Sequence, residues 1–102
     1  MSGRPTVVAT RRLPAPVEAR LAELFDARLN ARDEPMSADA LARAMREADA
    51  LLPTVTDRIT AELLAVPGRR VRIVANFGVG FNNIDVQAAK GQGVVVTNTP
   101  DV

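Results

Sequence analysis

The chain alternates between short segments of strand character and longer amphipathic segments of helix character, and this alternation restricts the fold more than any other feature. The segments with strand signals are residues 6–10 (TVVAT), 26–30 (DARLN), 50–54 (ALLPT), 71–77 (VRIVANF) and 94–98 (VVVTN). The second of them is weak and is best placed at a sheet edge. Strands separated by helices predict a parallel sheet that is covered on both faces and has right-handed crossovers.

Residues typical of helix starts mark four helices between these strands. Pro14 and Pro16 begin the first, and Ser37, Thr60 and Asp85 are typical N-caps of the other three. The first helix carries one apolar stripe, Val17, Leu21, Leu24 and Phe25, and we expect Phe25 to lie in the core. The expected buried face of the second helix is Leu41, Ala44, Met45 and Ala48.

Five strands in a chain of 102 residues favour one strand order. We predict an α/β fold, a flavodoxin-like five-stranded parallel sheet of order 2-1-3-4-5 with helices on both faces. In such sheets ligands bind outside the carboxyl ends of the strands, which here are followed by the turns after residues 10, 53, 77 and 98. Arg11 and Arg12 lie in the first of these turns, either to attract an anionic substrate or simply in solvent. We interpret Asp57 as a charge that favours the helix after it.

Composition limits the chemistry. The net charge is +1, from 13 basic and 12 acidic side chains, and argues against nucleic acid or a membrane surface as a partner. Histidine and cysteine are both absent, which removes disulfides, thiolate chemistry, the commonest metal ligand and the usual acid/base at neutral pH. We therefore assign no catalytic residue and no metal site. No segment resembles a membrane span or a signal peptide, so we expect a cytoplasmic protein of one domain.

The segment 76–83 (NFGVGFNN) follows the strongest strand signal and lies at the predicted ligand edge. Gly78 and Gly80 permit backbone conformations in which successive N–H groups point into one concavity and bind an anion. The pattern departs from a dinucleotide fingerprint in two ways. Asn83 takes the place of the third glycine, and the acidic residue that would bind the ribose is missing from the end of the next strand, because Asp101 lies beyond a fifth strand. Spacing alone leaves three interpretations: a tight connection without a ligand, a carboxylate-binding nest and a phosphate-binding loop.

Three segments together resemble the amino-terminal part of the D-2-hydroxyacid dehydrogenases, and most of all the glyoxylate and hydroxypyruvate reductase branch. They are residues 51–64 (LLPTVTDRITAELL), 73–85 (IVANFGVGFNNID) and 93–102 (GVVVTNTPDV). They occur in the order and spacing of that family, and the resemblance covers most of the chain. It implies a substrate-binding domain of flavodoxin-like topology at residues 1–98, with residues 99–102 as the start of a hinge to a dinucleotide-binding domain.

The resemblance also implies a substrate site. In that family, backbone N–H groups of the glycine loop hold the substrate carboxylate, a role that the resemblance assigns to Val79 and Gly80, beside Gly78. The turn after the third strand lines the same pocket, which adds Thr54 and Val55. Relatives with phosphorylated substrates carry a basic residue in that turn. Its absence here favours a 2-oxo acid with a small uncharged tail, such as glyoxylate or hydroxypyruvate.

For the parent enzyme, the resemblance implies hydride transfer from NADH or NADPH to the carbonyl carbon of a 2-oxo acid. A histidine protonates the oxygen and an arginine orients the carboxylate, and both belong to the cofactor domain that follows the hinge. We therefore expect the 102 residues alone to be inactive, with NAD or NADP bound elsewhere in the parent protein. Relatives are homodimers, mainly through that other domain. They also cover part of this domain with residues from their carboxyl end, so apolar surface is expected to be exposed here.

The alternative is a non-catalytic module of flavodoxin-like fold that binds small carboxylates or mediates assembly. The two hypotheses make different predictions for the reading frame beyond Val102. A GxGxxG motif and a late histidine there would decide for the enzyme.

Overall fold

A computed structural model describes residues 4–30, 32, 34–77 and 82–98. The strands in this part of the chain are β1 (Thr6–Ala9), β2 (Asp26–Arg28), β3 (Ala50–Leu52), β4 (Ile73–Asn76) and β5 (Val95–Asn98). The helices are α1 (Ala15–Leu24), α2 (Ala38–Glu47), α3 (Ala61–Leu64) and α4 (Val86–Gly91). The five strands form one parallel sheet of order β2-β1-β3-β4-β5. This confirms the predicted α/β fold and its flavodoxin-like order 2-1-3-4-5.

Several strands are shorter than the sequence pattern predicts, and the hydrogen bonds explain why. β3 ends before Pro53, which has no N–H to continue the ladder. β4 begins two residues after Val71, because the Val71 N–H donates instead to the Met45 carbonyl oxygen at 3.1 Å. β5 begins after Val94, whose N–H donates to the Ala89 carbonyl oxygen of α4 at 2.9 Å.

Three of the helices begin at the predicted caps. The side chains of Ser37, Thr60 and Asp85 each accept a hydrogen bond from the N–H three residues later, at 3.1, 3.2 and 2.9 Å. These bonds satisfy donors that the first helical turn leaves unpaired. The longest helices, α1 and α2, have ten residues each. Across the described ranges no helix has the length and apolar character to cross a membrane.

Helices α2, α3 and α4 cover one face of the sheet and enclose the apolar core. The inner strands contribute Val8, Leu51 and Val74 to this core, each from the middle of its strand. Met45 of α2 and Leu64 of α3 are fully buried against the same cluster. The predicted buried face of α2 is confirmed, because all four of its residues lie in the core: Leu41, Ala44, Met45 and Ala48.

The opposite face of the sheet is covered by α1. Val7 and Leu52 alternate with core residues along their strands and therefore point to this face. Together with Leu21 and Phe25 they line a groove of about 740 Å³. Helices thus lie on both faces, as predicted, but the two faces are covered unequally.

The prediction that Phe25 lies in the core is wrong, because Phe25 is only half-buried. α1 itself contains no buried residue, and Leu24 is exposed. Among the described residues, α1 packs mainly against β2, at the edge of the sheet. Farther along the same face, Ile73 and Val95 are 44% and 57% exposed. Their coverage by a returning segment in the parent protein stays a prediction.

The side chain of Asp49, just before β3, binds residues at the amino-terminal edge of the sheet. Its Oδ2 accepts from the Thr6 N–H at 2.8 Å, and its Oδ1 accepts from Arg70 Nε at 2.9 Å. The pKa of the Asp49 carboxyl lies below its ordinary value. The main cause is the hydrogen bond from the Thr6 N–H, and the Arg70 guanidinium is the next. The charged form is therefore favoured more in the folded chain than in the unfolded chain.

We expect the substitution Asp49→Asn to remove a pH-dependent part of the stability. Because folding lowers the pKa, this part is complete above the unfolded pKa of about 3.9 and is lost as the pH falls through the folded pKa. At neutral pH the variant should unfold with a free energy lower by about 1 kcal/mol. Urea unfolding of both proteins from neutral to acid pH measures the difference, which should shrink below about pH 4. A difference that is constant over this range would contradict the expectation.

Candidate functional site

The residues after β3 form a tight turn at the carboxyl edge of the sheet. The Asp57 N–H donates to the Thr54 carbonyl oxygen at 3.0 Å and closes a β-turn over residues 54–57. The Thr54 hydroxyl accepts from the Thr56 N–H at 3.4 Å, which braces the turn from within. Val55 lies at the tip and is 56% exposed. The turn therefore offers its tip to solvent at the edge where ligands bind in such sheets.

The Asp57 carboxylate lies inside this turn, and only 5% of the residue is exposed. Its Oδ2 accepts from the Thr54 N–H at 2.9 Å and from the Thr54 hydroxyl at 3.3 Å. It also accepts from the hydroxyl of Thr10, which directly follows β1 and is fully buried. A buried carboxylate is stable where donors surround it, and these donors tie the end of β1 to the turn after β3. The interpretation of Asp57 as a helix charge misses this role.

A pair of carboxamides joins the same turn to the end of β4. The Asn76 amide NH₂ donates to Asn83 Oδ1 at 3.0 Å, and the Asn83 NH₂ donates back to Asn76 Oδ1 at 3.1 Å. The Asn83 NH₂ also donates to the carbonyl oxygens of Thr54 and Asp57, at 3.0 and 2.9 Å. Asn76 is fully buried. Asn83 therefore holds β4, the turn and the approach to α4 together.

An open groove of about 660 Å³ lies beside the turn. The turn supplies Val55 and Thr56 to its wall, and the segment before α4 supplies Asn82 and Asp85. Arg11 reaches the turn from the loop after β1, where its Nη1 donates to the Thr56 hydroxyl at 3.2 Å. Among the described residues, no cluster of three acidic side chains that could hold a metal ion is present. The groove is thus bordered by neutral polar groups, by the Arg58 guanidinium and by the carboxylates of Glu62 and Asp85.

The structure places two of the predicted site residues. Thr54 and Val55 both lie at the carboxyl edge, where Thr54 turns its N–H and hydroxyl inward and Val55 is directed to solvent. The other predicted site residues lie outside the described part of the chain: Gly78, Val79 and Gly80.

The described residues on either side of that loop are anchored next to the turn. Phe77 donates its N–H to the Pro53 carbonyl oxygen at 2.8 Å, and Thr54 forms an isolated parallel bridge with Phe77. On the other side, the Ile59 N–H donates to the Asn83 carbonyl oxygen at 2.8 Å. The ends of the glycine loop and the turn after β3 are therefore neighbours.

Reasoning from the sequence missed four residues that build this edge: Thr10, Asp57, Asn76 and Asn83. A usable signal was present for two of them. Thr10 ends the first strand segment, and Asp57 follows Thr54 at the three-residue spacing from which an acidic side chain can reach back to a backbone N–H. The two asparagines gave no such signal, since they are seven residues apart in the sequence and pair only in the folded chain.

A sequence model of a protein family, the catalytic domain of the D-isomer specific 2-hydroxyacid dehydrogenases, matches residues 7–102 of this chain. The chain belongs to this family. The glyoxylate reductases of Thermococcus kodakarensis and Aeropyrum pernix are 40% identical over 100 residues and 41% identical over 99 residues. Each alignment covers 97% of this chain but 29% of the relative. The chain thus spans less than a third of the length of these curated D-2-hydroxyacid dehydrogenase relatives.

Solved structures of the same family share the fold. A D-isomer specific 2-hydroxyacid dehydrogenase from Polaromonas sp. JS6 66, described as NAD-binding, superposes with a TM-score of 0.88 at 31% identity, over 96% of this chain and 31% of that one. The NADPH-dependent glyoxylate/hydroxypyruvate reductase of Sinorhizobium meliloti, in complex with NADP and malonate, gives a TM-score of 0.72 at 33% identity. It is covered to 29%, and this chain to 97%. The resemblance to the D-2-hydroxyacid dehydrogenases is thereby confirmed, while the domain boundary after residue 98 and the site residues stay predictions.

Proposed function

We propose that this chain is the substrate-binding part of an NAD(P)-dependent D-2-hydroxyacid dehydrogenase that reduces glyoxylate or hydroxypyruvate by hydride transfer. The observation that carries the proposal is the junction at the carboxyl edge, where Asn83 binds the turn at residues 54–57 to the flank of the glycine loop. The two glyoxylate reductases, at 40% and 41% identity, support this substrate class. In this proposal the isolated 102 residues have no reductase activity.

The chemistry of the junction suits a small 2-oxo acid. Backbone N–H groups oppose the negative charge of a carboxylate without titrating, so their binding strength does not depend on a proton. Val55 places an apolar side chain at the tip of the turn, 56% exposed, where a short uncharged tail can pack. In the proposed complex, the oxo acid lies between the glycine loop and the turn, which contact its carboxylate and its tail. The assigned loop donors are Gly78, Val79 and Gly80.

A dinucleotide does not fit the residues described for this chain. The place of a third glycine is taken by Asn83, whose side chain is hydrogen-bonded to Thr54, Asp57 and Asn76. That glycine position serves close packing of helix and strand in dinucleotide sites. In this proposal NAD or NADP, which supplies the hydride, is bound by other parts of the parent protein. This chain binds and orients the acid.

A titration followed by amide-resolved NMR tests the proposed function. We expect glyoxylate and hydroxypyruvate, added to the 102-residue chain, to shift the amide signals of Val55, Val79 and Gly80. The reason is that a carboxylate accepting a hydrogen bond changes the shielding of the donor N–H. Chloride at the same ionic strength controls for unspecific anion binding. Acetate controls for a carboxylate without a neighbouring carbonyl.

Selective shifts with the two oxo acids, larger than those with acetate and absent with chloride, are the expected result. Equal shifts with chloride, or shifts that spread over residues far from the carboxyl edge, would contradict the assignment of this edge as the substrate site.

A further inference from the structure

We propose that Asp57 is a positioning residue for the oxo acid. With the Thr10 hydroxyl it fixes the turn at residues 54–57, so that the backbone N–H of Val55 is presented to the groove as a donor for the substrate carboxylate. This inference rests on the proposed function and adds to it both a donor and the buried group that holds the donor in place.

The N–H groups of the turn have distinct partners. The Thr54 N–H donates to Asp57 Oδ2 at 2.9 Å, the Thr56 N–H to the Thr54 hydroxyl at 3.4 Å, and the Asp57 N–H to the Thr54 carbonyl oxygen at 3.0 Å. In the part of the chain that the structure describes, no acceptor binds the Val55 N–H. Val55 is also the exposed tip of the turn. Its N–H is therefore the turn's donor for an anion in the groove.

The anchor of the turn is rigid because Thr10 is fixed by its backbone as well. The Thr10 N–H donates to the Leu52 carbonyl oxygen at 3.1 Å, which extends the pairing of β1 with β3. The Asn30 amide donates to the Thr10 carbonyl oxygen at 2.8 Å. The Thr10 hydroxyl then donates to the Asp57 carboxylate. Through this link, the position of the turn is set by the centre of the sheet rather than by the loop alone.

A carboxylate near an anion site needs its charge directed away from the ligand. Asp57 meets this condition, because it is 5% exposed and Oδ2 accepts from donors on the inner side of the turn. On the outer side, the Arg11 guanidinium binds the Thr56 hydroxyl at 3.2 Å, and Arg58 borders the same groove. Glu62 and Asp85 also line the groove, so its charge is mixed, and Asp85 Oδ1 is occupied by the Ala88 N–H at 2.9 Å. The Asp57 carboxylate serves the interior, and the turn's donor to the ligand is the neutral Val55 N–H.

The experiment compares binding and turn order in paired variants of the 102-residue chain. Asp57→Asn and Thr10→Val break the link at either end with little change of shape, and Thr10→Ser restores the hydroxyl. Glu23→Gln removes an exposed carboxylate on α1, outside the groove, and is the matched control. Each protein is titrated with hydroxypyruvate by NMR. Hydrogen exchange is recorded without ligand for the core-strand amides and for the amide of residue 57, whose N–H closes the turn on the Thr54 carbonyl oxygen.

We expect Asp57→Asn and Thr10→Val to bind hydroxypyruvate about tenfold more weakly, since tenfold corresponds to the loss of about one hydrogen-bond contribution. Their amides at residue 57 should exchange faster while the core strands stay protected. Thr10→Ser and Glu23→Gln should bind like the unmodified chain. This pattern supports positioning, because a merely structural role would weaken binding only together with core protection.

Two results overturn the proposal separately from the proposed function. If the unmodified chain binds and both broken-link variants bind equally well, Asp57 does not position the donor. If those variants lose binding only in proportion to lost core protection, Asp57 serves stability alone. If the unmodified chain binds neither oxo acid, the proposed function of the site fails, and this inference fails with it.

Discussion

Replacing Leu51 with alanine should lower the free energy of unfolding by about 2–5 kcal/mol, which is a large part of the total for a domain of this size. Leu51 is the central residue of β3, the middle strand of the sheet, and it is fully buried among the core side chains. Its truncation removes apolar burial and leaves a cavity between the sheet and the helices above it. Because the strands on both sides are fixed by hydrogen bonds, the cavity cannot close fully. Chemical denaturation followed by circular dichroism measures the loss.

Leu24→Ala is the matched control, since it removes the same atoms from a position that is 46% exposed at the end of α1. We expect its effect to stay below about 1 kcal/mol, as for a side chain that is already hydrated in the folded state. Equal losses for the two leucines would show that the core does not lie between the sheet and α2, α3 and α4.

Replacing Asn83 with alanine should cost about 2–3 kcal/mol and loosen the substrate edge. The side chain donates to two backbone carbonyl oxygens of the turn and exchanges two hydrogen bonds with the buried amide of Asn76. Its removal takes one hydrogen-bond partner from each of these groups. Water can replace that partner only if the carboxyl edge of the sheet opens. Urea unfolding measures the stability. Hydrogen exchange of the Asp57 and Phe77 amides, which donate to the Thr54 and Pro53 carbonyl oxygens, reports the local opening.

The neighbouring substitution Asn82→Ala provides the control, because Asn82 is exposed and lies in the same turn before α4. We expect it to leave stability and exchange unchanged. If Asn83→Ala behaves like Asn82→Ala, the carboxamide pair does not join the turn to β4, and the junction on which the proposed function rests is not formed.

The fold was predictable because its signals are local and repeated. Each strand segment and each cap acts within a few residues, as the hydrogen bonds of Ser37, Thr60 and Asp85 illustrate. The boundaries were less predictable, since they depend on competition for N–H groups between distant elements. Val71, for example, donates to α2 rather than to the neighbouring strand. Phe25 was wrongly expected in the core for a related reason, because an apolar stripe along a helix does not show how much of it neighbouring elements cover.

The candidate site was predictable where a short pattern carries the information. Thr54 and Val55 came from the resemblance and lie at the carboxyl edge. The groups that hold them were not found, because Asp57 meets Thr10 across 47 positions of the sequence, and the Asn76 and Asn83 amides meet only after the sheet has formed. A carboxylate next to a helix is ordinarily explained by its favourable charge at the helix start. Only the burial of Asp57 shows that it also holds the turn at residues 54–57.

The strand order has a consequence for how this domain folds. β1 lies between β2 and β3, and Val8 is paired with Leu51, so half of the chain must be present before the centre of the sheet can close. Contacts between residues far apart in sequence form slowly, because a long loop loses entropy before the pairing stabilises it. During synthesis, the edge of β1 that pairs with β3 therefore stays unpaired until residues 50–52 are present. The docking of β3 on β1 completes the sheet centre and brings Asp57 to Thr10, so the substrate edge takes shape in the same step as the core.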